Sequence, residues 1–233
     1  VLLYSCTATK SSSDFSNEIF VDVEQSVELP LQRGRIIPLE TSDSSLLYDI
    51  VSIDQVKDKY FIRSKNKILT FDTEGNYLYN ISGIGQGNKE YVNLSSFFIK
   101  NEELCIYDFN QGRVLVFAPS GRYLRTEKAV KNSDVECVPQ LIRPYGKNKY
   151  IAKNSFNGTP GYVTPALSLL DEKYTITQTL EGHSLNTGFL LFDFMNCDDN
   201  GGFITYWEAL SDTIYTVVND SMVQPKYLVN FGE

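Results

Sequence analysis

The 233-residue chain carries 21 Lys and Arg against 29 Asp and Glu, a net charge of -8, with 15 Tyr and 14 Phe but only 2 Met. An acidic surface with no basic run disfavours nucleic acid as a partner, and no stretch approaches the roughly twenty apolar residues of a membrane span. The length suits one large β domain or two small ones, and the aromatic excess favours strands over helices.

The chain opens VLLYSC, and Leu3-Tyr4-Ser5-Cys6 has the shape of a bacterial lipobox: an apolar residue three before a cysteine and a small one just before it. Residues 1–5 then read as the stub of a signal peptide, with Cys6 as the lipidated first residue and the lipid as the membrane partner. The alternative is a chance cysteine. Residues 7–18, TATKSSSDFSNE, are a polar, Ser-rich tether with little to bury. Together these predict a lipid-anchored domain at a bacterial cell envelope, on the outer membrane.

Beyond the tether, residues 19–23, 27–31 and 36–40 are expected to be extended. A repeated phrase follows: KILTFDTEGNYL at 67–78 and RVLVFAPSGRYL at 113–124 match at Phe71 and Phe117, Gly75 and Gly121, and Tyr77-Leu78 and Tyr123-Leu124. Each copy is an alternating apolar run, a turn with glycine at its end, and an aromatic that restarts the alternation, which is a β-hairpin. A hairpin recurring at a period in the forties is the signature of propeller blades. The first blade is predicted over about 47–82, with strands near 50–56, 59–63, 68–71 and 77–81, and the second over 83–130. Worn copies extend this to 138–182, where the glycine of the turn is lost at Asp171-Glu172-Lys173-Tyr174, and to 183–233. Helix periodicity is nearly absent. At about 45 residues per blade the chain holds four to five blades. The fold class expected is therefore all-β, a propeller of four-stranded blades over 19–233.

Cys105, in the strand Leu104-Cys105-Ile106-Tyr107, is expected to behave as a small hydrophobe. Cys137 and Cys197 lie beside loop-like sequence and are free to pair or not.

Gly83-Ile84-Gly85-Gln86-Gly87-Asn88-Lys89-Glu90-Tyr91 resembles the Gly-x-Gly-Gln-Gly-Pro-Gly-Glu-Tyr stretch between blades of six-bladed propeller lipoproteins of Gram-negative envelopes, relatives of NHL-repeat propellers. Asn88 and Lys89 replace the Pro-Gly. Pro38-Leu39-Glu40-Thr41, the Phe71–Leu78 hairpin, Ser211-Asp212-Thr213-Ile214-Tyr215 and Asn230-Phe231-Gly232 resemble that family too. The resemblance implies a six-bladed ring, of which the C-terminal blades would be missing here. It does not supply a ligand.

Chemistry-bearing residues are few. The glycines at 83, 85 and 87 lack the strand-then-helix setting of a phosphate cradle and read as an inter-blade turn. His183, the only histidine, would have to carry any histidine mechanism alone. Asp198, Asp199 and Asn200 have calcium-type oxygens without EF-hand spacing, so calcium is a weak expectation and no other cofactor is implied. Trp207, Tyr162 and Phe156, with His183, are the candidate ligand-binding residues, since aromatics near loops stack on sugars or apolar ligands. Trp207 packed between blades is the competing reading.

The function expected is a non-enzymatic binding or scaffold protein for a glycan, peptide or partner protein. The alternative is a metal-assisted propeller hydrolase or lyase acting at the central channel. Convergence of carboxylates and amides from several blades on that channel distinguishes the two.

Overall fold

A computed structural model describes residues 18–20, 34–129, 138–155, 165–180, 194–197, 204–207 and 211–230. Cys6, Cys137, Phe156, Tyr162, His183 and Asp198–Asn200 lie outside the described residues, as does the extended segment expected at 27–31.

Every regular element among the described residues is a strand. A three-residue β1 (Glu18–Phe20) precedes four antiparallel blades. Blade 1 is β2 (Ser52–Val56), β3 (Lys59–Ser64), β4 (Lys67–Asp72) and β5 (Tyr77–Ile81). Blade 2 is β6 (Ser96–Lys100), β7 (Glu103–Asp108), β8 (Arg113–Phe117) and β9 (Tyr123–Lys128). Blade 3 comprises β10 (Val138–Pro144), β11 (Tyr150–Ser155), β12 (Leu167–Leu170) and β13 (Ile176–Leu180). Blade 4 comprises β14 (Phe194–Cys197), β15 (Ile204–Trp207), β16 (Thr213–Asn219) and β17 (Met222–Asn230). Strands follow chain order within each sheet, and β1 pairs in parallel with the outer edge of β17 through Glu18↔Leu228 to Phe20↔Asn230. The first strands of successive blades, β2, β6 and β10, approach one another as the inner strands of a β-propeller.

Two-residue alternation gives each blade two apolar faces. In β7, Leu104 and Ile106 pack with Phe61, Ile68 and Ile81 of blade 1. The alternate residues Cys105 and Tyr107 pack with Ile142, Tyr150 and Ala152 of blade 3. Blade 3 in turn sends Ile151, Leu167 and Leu169 against Ile204, Tyr206 and Tyr215 of blade 4.

Blade 1 has no preceding blade among the described residues. Its rear face, formed by Ile62, Leu69 and Phe71, is covered instead by Leu39 and Leu47. The cover is pinned at the hairpin: the Glu40 N–H donates to the Gly75 carbonyl at 2.8 Å, and the Glu40 carboxylate accepts the Tyr77 N–H at 2.9 Å. The inner end of that face remains open. Ile53 is 53% exposed, whereas Phe97, at the matching place on β6, is 0% exposed beneath blade 1.

The repeated turn shows why glycine recurs. Gly75 (φ +88°) and Gly121 (φ +79°) sit in the left-handed region, each donating its N–H to the carbonyl three residues back, Asp72 and Ala118. In blade 3, Tyr174 (φ +60°) occupies the same place and bonds Asp171 in the same way. A non-glycine residue there costs about 1–2 kcal/mol. The Tyr174 ring offsets this by full burial, 4.6 Å from the Tyr150 ring and 6.3 Å from Phe98. The turn thus survives loss of its glycine because the new side chain becomes core.

A Cβ at Gly75 would lie 2.1 Å from the Pro38 carbonyl oxygen, and one at Gly121 would lie 2.7 Å from the Tyr79 ring. Backbone cannot step aside as a ring can. Gly75→Ala should therefore cost about 2–4 kcal/mol in denaturant unfolding and Gly121→Ala about 1–2 kcal/mol; equal losses would contradict the pinning role of Pro38. Tyr174→Gly should also destabilise, by about 2–4 kcal/mol, because the lost ring outweighs the relieved strain.

Cys105 is buried and free, with burial pushing its thiol up to about 12. Iodoacetamide at pH 8 should leave Cys105 unlabelled in the native protein and label it once denaturant unfolds the chain, as peptide mapping would report.

Candidate functional site

The Gly83–Gly87 loop folds around its own carboxylate: the Gly87 N–H donates to Glu90 Oε2 at 2.9 Å, and a Cβ on Gly85 would lie 2.0 Å from that oxygen. An acidic group already fills the concavity, so it is an inter-blade turn and not a phosphate cradle. Tyr91 anchors it, fully buried, with its hydroxyl donating to the Asn66 carbonyl at 2.5 Å and its ionisation pushed up to about 12 by burial.

A second recurring position lies at or next to the end of the second strand in blades 1, 2 and 3. Ser64, Asp108 and Asn154 are buried polar residues. Ser64 Oγ donates to Asp49 at 3.0 Å and accepts the Tyr48 N–H at 3.1 Å. Asp108 accepts the Val92 N–H at 2.8 Å, and Asn154 Nδ2 donates to the Pro165 carbonyl at 2.9 Å. Each ties a neighbouring loop to its blade, although the buried Oδ1 of Asn154 is left without a hydrogen-bond partner among the described residues.

The free edge of the inner strand of blade 2 holds a different arrangement. Arg63, on β3, donates from Nη1 to the Ser95 carbonyl at 2.7 Å and from Nε to the Lys65 carbonyl at 3.3 Å. Arg143, on β10, donates from Nη1 to the Phe97 carbonyl and, at 3.4 Å, to that of Ile142. Ser95 and Phe97 are two residues apart on the run into β6, the terminal strand of its sheet, so their carbonyls lie about 7 Å apart in extended chain. Arginines from blades 1 and 3 thus grip the inner strand of blade 2 from either side. Beside them Ser96 Oγ accepts the Ile142 N–H at 3.2 Å.

Burial, and then the like charge of Arg143, push the Arg63 guanidinium below its usual range, while Asp49 opposes that shift. Other arginines pair with acids: Arg125 with Glu103 at 2.7 Å and Glu127 at 2.8 Å, and Arg113 with Asp108 at 4.0 Å. Among the described residues no carboxylate stands within ion-pair distance of Arg63 or Arg143.

Of the aromatics singled out from the sequence, the structure places Trp207. It ends β15 half-buried, opposite Phe194 and Ile214, with its indole N–H donating to the Ser211 carbonyl at 2.5 Å. It stands on the face of blade 4 turned away from blade 3. The two arginines are not legible as a pair in the sequence, since 80 positions separate 63 from 143 and neither lies in a motif. Among the described residues no three His, Cys, Asp or Glu come together in a metal-holding group.

The fold has solved counterparts. A Bacteroides fragilis protein classed as exported matches with a TM-score of 0.66 and 19% identity, over 84% of this chain and 55% of its own. A DUF4221 family member from Bacteroides vulgatus matches with a TM-score of 0.52 and 8% identity, over 81% and 60%. The chain therefore spans between half and two thirds of these relatives. No curated protein matches it. The profile of one family, described as a domain of unknown function (DUF4934), covers residues 25–233, and the chain belongs to that family.

Proposed function

We propose that this propeller is a non-enzymatic binding protein of the bacterial envelope, held to the membrane by a lipid on Cys6 and meeting its ligand where the inner strands converge. The observation that carries this reading is the composition of that convergence: two guanidiniums, from blades 1 and 3, and the Ser96 hydroxyl of blade 2. A metal-assisted hydrolase would instead require carboxylates and amides from several blades to converge there. The structural likeness to an exported Bacteroides protein supports an envelope or secreted setting.

Six blades is the ring size that the sequence resemblance implies. The exposed Val51 and Ile53 on the rear of blade 1 support a further blade seated there, because the matching surface of blade 2 is closed by its neighbour. The polar tether at 7–18 suits a domain held off a membrane surface.

Cys6→Ser should move the protein from the membrane fraction to the soluble fraction in an expressing Gram-negative host, with loss of metabolic labelling by palmitate. Retention of the variant in the membrane fraction would overturn lipid anchoring. It would leave the binding reading to be judged by titration of the soluble domain.

A further inference from the structure

Both arginines of the inner-strand pair are committed only in part. Arg63 uses Nε and one Nη1 hydrogen, and Arg143 uses Nη1 alone. The Nη2 groups of both have no protein acceptor among the described residues, and neither is sealed from solvent. A guanidinium offers five donors in a rigid fork matched to a planar oxyanion. Here the Ser95 and Phe97 carbonyls, about 7 Å apart in extended chain, each hold one fork, in a chain of net charge -8. The two like charges repel, and an anion bound between them would relieve that repulsion.

The neighbourhood adds a second kind of surface. Lys65, whose carbonyl takes the Arg63 Nε, places its ammonium 4.1 Å from the Tyr48 ring, with Lys67 at 5.8 Å. Tyr48 is 65% exposed, and its N–H is tied to Ser64, the residue after Arg63. Asp49 is the acid nearest Arg63, and it is held by Ser64 Oγ and the Lys65 N–H at 2.8 Å. An exposed aromatic ring on the loop tied to the strand of Arg63 suits the C–H face of a pyranose that carries a carboxylate.

We propose that Arg63 and Arg143 form a carboxylate-binding site along the inner strand of blade 2, with Tyr48 as its stacking edge, and that the ligand is an acidic sugar chain. This rests on the binding reading above and names its ligand class.

The test is calorimetric titration of the soluble domain with trigalacturonate, with galactotriose as the neutral match and triglycine as a peptide carboxylate. The wild type should bind trigalacturonate at least about tenfold more tightly than galactotriose, and more weakly as salt rises from about 0.05 to 0.5 M. Arg63→Gln and Arg143→Gln should each lose about tenfold or more. Because both side chains also hold β6, Arg143→Lys is the control for folding: it keeps a donor for Phe97 and the charge but not the fork, and should retain the wild-type thermal midpoint while losing affinity.

Equal binding of the two trimers, unchanged in the variants, would overturn the arginine site and leave the binding reading standing. Triglycine binding with trigalacturonate ignored would overturn the sugar assignment. Release of reducing ends from trigalacturonate would overturn the non-enzymatic reading, while loss of affinity in the variants would still uphold the site.

Discussion

Alternation along a strand sends consecutive side chains to opposite sides of the sheet, so a blade rich in apolar residues has two surfaces to bury. Leu104 and Ile106 on one side of β7, with Cys105 and Tyr107 on the other, cannot all be covered unless sheets stand on both sides of blade 2. This requirement for a neighbour at each face orders the rest of the molecule. It stacks the four sheets in sequence and draws their first strands together. It also leaves any uncovered end of the stack with a surface that something else must cover.

Blade 1 meets that demand with a segment that has no regular structure of its own. Leu39 and Leu47 fill the apolar contacts, while Glu40 satisfies backbone groups at the hairpin below. Polar groups solve a parallel problem at the inner strands, where edge carbonyls lack a strand to pair with. Arg63 and Arg143 supply donors to β6 from the two flanking blades. The same feature that satisfies the edge concentrates positive charge at the centre of an acidic protein.

Much of this was written locally in the chain. The period of the hairpin, the alternation in β4 and β8 and the glycines at 75 and 121 are short-range signals, and they fix the blades because each hairpin depends on its own residues. The worn third copy was readable too, although Tyr174 hides the turn signal: its left-handed backbone is stabilised by Tyr150 and Phe98, which lie outside the hairpin. The arginine pair was not readable at all. Its two members belong to different blades and meet only through carbonyls of a third, and a backbone acceptor leaves no mark in residue identity. Trp207 was visible as the lone tryptophan, but its bond to Ser211 depends on the path of the chain after β15.

The segment over blade 1 has a kinetic consequence. Glu40 precedes Gly75 by only 35 positions, so the hairpin end of the rear of the first blade is covered by residues that leave the ribosome before it does. Each later blade then grows on a surface already made, and assembly can run from the N-terminal side as synthesis proceeds. The bond from Asn230 to Glu18, spanning 212 positions, carries the greatest loop-closure entropy of the described contacts and is the natural last step. An order of assembly is thereby built into a chain whose blades are otherwise alike.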